Sequence, residues 1–197
     1  MTELPITALT SRDFQIVAGD THGDVCADAP EAALVSRAKR DPRAFAALYR
    51  QHYAAIAGYV LRRVGDQHMA EDLTADVFLT AVRSLGGYRH RGVPFRAWLY
   101  RIATHTVNRW ARRGRKRFCQ TLPESLACVE SDAADPKAAR LAMLSLSPKH
   151  QAVLALHYLE GLSVEEVAAV IGCRIGTIKS RLSRARVALR EQLEQGR

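Results

Sequence analysis

The run Gly176-Thr-Ile-Lys-Ser-Arg-Leu-Ser-Arg-Ala-Arg186 concentrates side chains that can donate hydrogen bonds to phosphate or to base edges. With a turn of about 100° per residue, Ile178, Leu182, Ala185 and Leu189 fall on one face of a helix and should pack inward. Thr177, Lys179, Ser180, Ser183 and Arg184 then point away, and Arg186 and Arg190 extend the basic side. From Arg174 to Arg190 there are six Lys or Arg and no acid. A helix face that is merely solvated usually mixes both signs, so this one fits docking on DNA.

A second basic constellation lies upstream. Gly86-Gly-Tyr-Arg-His-Arg-Gly-Val-Pro94 reads as a loop with Tyr88, Arg89, His90 and Arg91 at its tip, and Arg109, Arg112, Arg113, Arg115, Lys116 and Arg117 crowd the end of the helix after it. The loop lacks the Lys-Ser/Thr of a Walker phosphate loop. Cations beside aromatic faces suit single-stranded or unstacked nucleic acid, where a stacked base contributes about 1–3 kcal/mol. Trp98 falls on the apolar stripe of that helix and is assigned to the core.

A third group is acidic, with Glu71, Asp72 and Asp76 on one predicted helix. Acids near a helix start complement the macrodipole, which accounts for Glu71 and Asp72 but not as well for Asp76. Nuclease or recombinase chemistry would need carboxylates clustered for a metal, or an activated nucleophile beside a base. Neither spacing occurs. Cys26, Cys119, Cys128 and Cys173 are scattered without zinc-ligand spacing, so reduced thiols and no cofactor are expected.

The elements that must position these groups follow from composition and punctuation. The chain has 197 residues, 48% of them hydrophobic, and a formal net charge of +9, which points to a polyanionic partner. No apolar run approaches the roughly 18 residues of a membrane span, and the first residues lack a signal-peptide pattern, so a cytoplasmic protein without membrane insertion is expected. Residues 1–31 hold six acids and one Arg, and residues 119–136 hold four acids and no base. The positive charge therefore lies in two blocks. We read residues 1–30 as a disordered tail, 31–118 and 137–197 as two small helical domains, and 119–136 as a flexible acidic linker.

Helices are predicted over Glu31–Arg40, then from Asp41-Pro42 to Gly65-Asp66, with Phe45, Leu48, Tyr49, Ile56, Tyr59, Val60 and Val64 mostly in the core. Ala70–Leu85 follows, with Leu73, Val77, Phe78, Ala81 and Val82 inward, and then Phe95 to about Arg113. The second block is predicted as Lys137–Leu146, residues 148–159 behind Ser147-Pro148, a helix from Val164 capped by Ser163 with Glu166, and a last helix from Ile175. The final pair has helix-turn-helix spacing. The fold class is all-α.

Four stretches together resemble the extracytoplasmic-function sigma factors of bacterial RNA polymerase: Asp41-Pro-Arg-Ala-Phe-Ala-Ala-Leu-Tyr49, Ala70-Glu-Asp-Leu-Thr-Ala-Asp-Val-Phe78, Phe95-Arg-Ala-Trp-Leu-Tyr-Arg-Ile-Ala103 and Gly176 to Arg186. They keep the family's order and spacing across about residues 31–193. The resemblance implies a non-catalytic initiation factor, whose N-terminal domain binds core polymerase and the −10 promoter element and whose C-terminal domain binds the −35 element. It places Glu71, Asp72 and Asp76 on the polymerase clamp helices, and the loop 86–94 with Arg101 and His105 around an extruded −10 base. It further implies phosphate contacts for Arg109, Arg112 and Arg113, major-groove positions for Lys179, Ser180, Ser183 and Arg184, and an anti-sigma protein as a partner. Thr177 and Arg174 belong to the same −35 face. The chain departs from the family in having His105 where Asn is frequent, Ala75 where Gln is common, and Arg174 in place of a common Pro. A stand-alone DNA-binding regulator would need only the C-terminal domain and leaves the N-terminal helices, the acidic patch and the aromatic-basic loop without a role.

Overall fold

The computed structural model describes residues 31–89, 93–118 and 136–195, and every regular element among them is helical. Helix α1 (Glu31–Arg40) leads through a 3-10 turn at Pro42–Ala44 into α2 (Phe45–Val64). Asp41 starts that turn as expected, its carboxylate accepting from the Arg43 amide at 2.9 Å with Pro42 in the first position. Gly65 ends α2 with φ +80°. A Cβ there would be strained and would lie 2.8 Å from a Leu144 methyl. Glycine thus both turns the chain and admits α5 (Pro136–Ser145) against α2.

Helix α3 (Gln67–Ser84) begins three residues earlier than the sequence suggests, because Asp66 caps it, accepting from the Met69 amide at 2.7 Å. Glu71 and Asp72 consequently lie beyond the first turn, and the macrodipole no longer accounts for them. Helix α4 (Phe95–Phe118) continues past the expected end near Arg113. Arg and Lys favour helix, and Gly114 carries no left-handed φ that would stop it. Arg109, Arg112 and Arg113 therefore lie inside the helix, as part of its wall.

Helix α6 (Pro148–Leu154) starts at Ser147, whose side chain accepts from the His150 amide. The chain stays helical to residue 159 as expected, but its last turn, Ala155–Leu159, widens to π geometry, where the Glu160 amide reaches the Ala155 carbonyl at 3.0 Å. Helices α7 (Val164–Ile171) and α8 (Ile175–Gln195) complete the chain.

Leu48, Ile56, Tyr59, Val77, Phe95 and Leu99 are buried between α2, α3 and α4, and Val153, Leu156, Leu162, Val167 and Ile178 are buried between α6, α7 and α8. Each such aliphatic side chain contributes about 1.5–3 kcal/mol on leaving water. Two side chains expected inside are not: Tyr49 and Val82 are 39% and 43% exposed. Both sit at the margin of their helical stripe, where a neighbouring helix would have to cover them and none does.

The two halves share one continuous core, with α5 against α2 and α7 against α4. Polar contacts cross the seam as well. Arg63, 3% exposed, donates to Tyr59 Oη (2.9 Å), to Asn108 Oδ1 (2.7 Å) and to the Pro148 carbonyl (3.1 Å), and Arg140 donates to the Gly65 carbonyl at 2.6 Å.

Candidate nucleic-acid interface

The helix-turn-helix is built by local bonds that the sequence foreshadows. Ser163 Oγ accepts from the Glu166 amide at 3.1 Å while Glu166 Oε2 accepts from the Ser163 amide at 2.8 Å, closing a capping box at the start of α7. Gly172, at φ +75°, ends α7, and its amide and that of Cys173 both reach the Ala168 carbonyl. The Arg174 carbonyl then accepts from Thr177 (2.9 Å) and Ile178 (3.2 Å) as α8 begins. The next helix is thus aimed within three residues.

On α8, Ile178, Leu182, Ala185 and Leu189 are buried, and Thr177, Lys179, Ser180, Ser183, Arg184, Arg186 and Arg190 are exposed. Arg174 is exposed at the helix start, where free amides already favour an anion. Arg184 lies along its own helix, donating weakly from Nε to the Ser180 carbonyl (3.3 Å) and from Nη2 to Ser180 Oγ (3.4 Å). Contacts this long release easily. Sequence reasoning missed His150 of α6, whose pKa is lowered by partial burial and then by the charges of Arg184 and Arg181. Only α6 packing on α8 brings it there, so no local signal marks it.

On α4, Arg101, His105, Arg109, Arg112 and Arg113 are all exposed, the first three one turn apart. Among the described residues no carboxylate lies within 4.0 Å of their cationic groups. This leaves a basic wall free of internal neutralisation. Arg89 is exposed beside its start. Tyr88 differs from its expected place at the loop tip, being 6% exposed. Its ring packs 5.5 Å from Phe95 and 5.1 Å from Trp98, its hydroxyl donates to the Val93 carbonyl at 3.1 Å, and its own carbonyl accepts from Lys39. An aromatic so enclosed braces the loop from beneath. Arg91 lies outside the described residues.

Glu71, Asp72 and Asp76 are exposed on α3, with Glu71 accepting from Gln67 at 2.6 Å. Asp72, Asp76 and Leu79 follow at one-turn intervals, and Leu79 is 53% exposed. Val82 continues the apolar margin, while Tyr49 and Tyr53 of α2 flank Phe78, at 4.7 and 6.1 Å between ring centres. An acidic edge beside uncovered apolar and aromatic surface has the composition of a protein-docking patch. Sequence reasoning found the acids and assigned part of the apolar rim to the core.

Among the described residues no group of His, Cys, Asp and Glu could hold a metal ion, and no helix is long and apolar enough to cross a membrane. Cys173 is a half-buried free thiol, and the other three cysteines lie outside the described residues.

A helical body with a basic helix-turn-helix and a second basic helix wall defines a DNA-binding protein with a docking patch. Comparison with known proteins makes the class definite. Residues 48–117 match the family model for sigma-70 region 2, and residues 137–189 match that for sigma-70 region 4. The sigma factor SigE of Mycolicibacterium smegmatis is 36% identical over 84% of this chain and 69% of its own length. The sigma-H factor of Pseudomonas aeruginosa is 35% identical over 82% of this chain and 92% of its own length. Among solved structures, RpoE of Bartonella quintana, crystallised with the anti-sigma factor NepR, superposes with a TM-score of 0.60 at 29% identity, covering 78% of this chain and 98% of that one. The chain belongs to the extracytoplasmic-function sigma factors of the sigma-70 family. It is a transcription initiation factor that directs RNA polymerase to promoters, and it has no catalytic activity of its own.

Proposed function

We propose a division of labour between two units, residues 31–118 and 137–197, joined by residues 119–136. The observation that carries it is the pair of basic faces, on α4 and α8, each without a neutralising carboxylate among the described residues. The α8 face, with Arg174, Thr177, Lys179, Ser180, Ser183 and Arg184, reads the −35 element in the major groove. The α4 face reads the melted −10 strand, with Arg89, Arg91, Arg101 and His105 around an extruded base and Arg109, Arg112 and Arg113 on adjacent phosphates; Tyr88 supports the loop. Glu71, Asp72 and Asp76, with the apolar rim at Leu79 and Val82, dock on the clamp helices of core polymerase. The likeness to RpoE, seen bound to an anti-sigma factor, supports an anti-sigma protein as this chain's regulator in the cytoplasm.

Run-off transcription with purified core polymerase tests the assignment on a template carrying both elements, and on templates with either one scrambled. Transcripts from the intact template that fall at least tenfold when either element is scrambled are expected. Transcription indifferent to the −35 element would overturn the role of α8.

A further inference from the structure

Helix α1 contributes no residue to the DNA-reading faces assigned above, yet its last turn reaches the loop that precedes α4. Tyr88 is the residue from which that loop departs. Its amide donates to the Leu85 carbonyl at 3.0 Å, closing the 3-10 turn Leu85–Gly87, and its backbone is extended at φ −63° and ψ 128°. Its ring is enclosed by Phe95 and Trp98, and its hydroxyl crosses to the Val93 carbonyl at 3.1 Å, tying one described end of the loop to the other.

Those contacts fix Tyr88 only as far as its Cα. The planar peptide between Tyr88 and Arg89 still turns with the ψ of Tyr88, and its orientation sets the direction in which Arg89 leaves. The carbonyl of that peptide accepts from the Lys39 ammonium, and the same ammonium stands 5.6 Å from the centre of the Tyr88 ring. A charge-assisted bond to the carbonyl is stronger than a neutral one, and the ring face adds a cation–π attraction. Lys39 lies in the last turn of α1, 49 residues before Tyr88, and Val35 and Ala38 anchor that helix in the core. At the other end of α1 the Glu31 carboxylate stands 3.0 Å from His52 Nε2, and the His52 ring is 5.5 Å from Phe95. Both ends of α1 are thus held against the aromatic cluster beneath the loop.

We propose that Lys39 is a positioning residue for promoter reading, which fixes the peptide on which Arg89 leaves the core and so presets one wall of the −10 site without touching DNA. A loop base free to turn would present Arg89 in the competent direction only part of the time, and affinity for the strand would fall by that fraction. Discrimination falls as well, because a wall that rotates accommodates more than one base. The proposal rests on the −10 reading of α4 given above.

A direct phosphate contact by this exposed lysine is the alternative, and salt dependence separates the two. Loss of one phosphate contact lowers the slope of log affinity against log salt by about 0.7 for a single strand. Loss of a positioning bond leaves the slope as it was.

The test uses the full chain, saturating on core polymerase, with a fluorescent single strand carrying the −10 element and a second strand with that element scrambled, at several salt concentrations. Lys39→Met keeps the aliphatic stem and removes the donor. It should bind the −10 strand at least fivefold more weakly, discriminate less against the scrambled strand and keep the wild-type salt slope. Lys39→Arg, which can still donate to the carbonyl and lie on the ring, should recover most of the affinity. In the free chain, amide hydrogen exchange of a peptide containing Tyr88 and Arg89 should quicken severalfold in Lys39→Met while that of α3 is unchanged. Wild-type affinity and discrimination in Lys39→Met would overturn the assignment, as would a loss accompanied by the phosphate-sized drop in slope, or a Lys39→Arg protein no better than Lys39→Met. A wild-type holoenzyme that fails to distinguish the two strands is the separate failure of the −10 reading, and removes the role of Lys39 with it.

Discussion

The hydroxyls of Tyr59 and Thr104 lie 2.7 Å apart in the buried joint between α2 and α4. Tyr59 Oη also accepts from Arg63 at 2.9 Å, so one phenol fixes the rotation of α4, whose outer face carries Arg101, His105 and Arg109. Tyr59→Phe should lower stability by about 1–3 kcal/mol, since a buried guanidinium and a threonine both lose a partner. A urea midpoint equal to wild type, at unchanged slope, would show the network to be dispensable.

Charge reversal at Asp72 and Asp76 tests the polymerase-docking face. Both are exposed on α3, away from the core, so the double variant should fold normally while its affinity for core polymerase falls at least tenfold. Binding of the free chain to a −35 duplex should not change. Unaltered affinity for core would remove the acidic patch from the interface.

On α8 two roles should separate. Arg184→Ala should cost about 1–3 kcal/mol and relax preference at one base pair, because a bidentate arginine reads a specific base edge. Arg190→Ala, nearer the helix end, should weaken all sequences alike and reduce the salt dependence by about one phosphate equivalent. A promoter-selection profile for Arg184→Ala identical to wild type would show that a different residue reads the groove.

His105→Asn should change base preference at one −10 position more than it changes overall affinity, because the side chain is exposed one turn beyond Arg101 on the α4 face. Selection from a −10 library distinguishes this from a uniform loss, which would make His105 a phosphate or structural contact.

His52 supplies a pH dependence. Burial depresses its imidazole pKa; Glu31, whose carboxylate lies 3.0 Å from Nε2, opposes this, and Arg96 adds to it. The folded state therefore keeps the ring neutral at pH values where the unfolded chain, with a pKa of about 6.5, already takes up a proton. Stability should fall as pH drops below about 6.5, until the folded His52 is protonated too. His52→Gln should flatten the fall in melting temperature between pH 7 and pH 5.5, and an equal fall in both proteins would assign the slope to other groups.

What the sequence determined by itself is what a helix settles within a turn or two of its own chain. Asp41-Pro42, Ser147-Pro148 and Ser163 with Glu166 mark starts because a cap and its amide are three residues apart or fewer. The stripe Ile178, Leu182, Ala185, Leu189 follows from helical pitch alone, and its opposite face is exposed as the spacing requires. Periodicity fixes the angle between side chains on one helix but not which angles a neighbouring helix will cover. Packing decided that Tyr49 and Val82 stay exposed and that Tyr88 is enclosed by Phe95 and Trp98. Arg62 and Glu160, 98 residues apart, lie too far apart in sequence for any local pattern to pair them. Only the tertiary fold could do so, because burying either charge is tolerable solely when the other arrives with it.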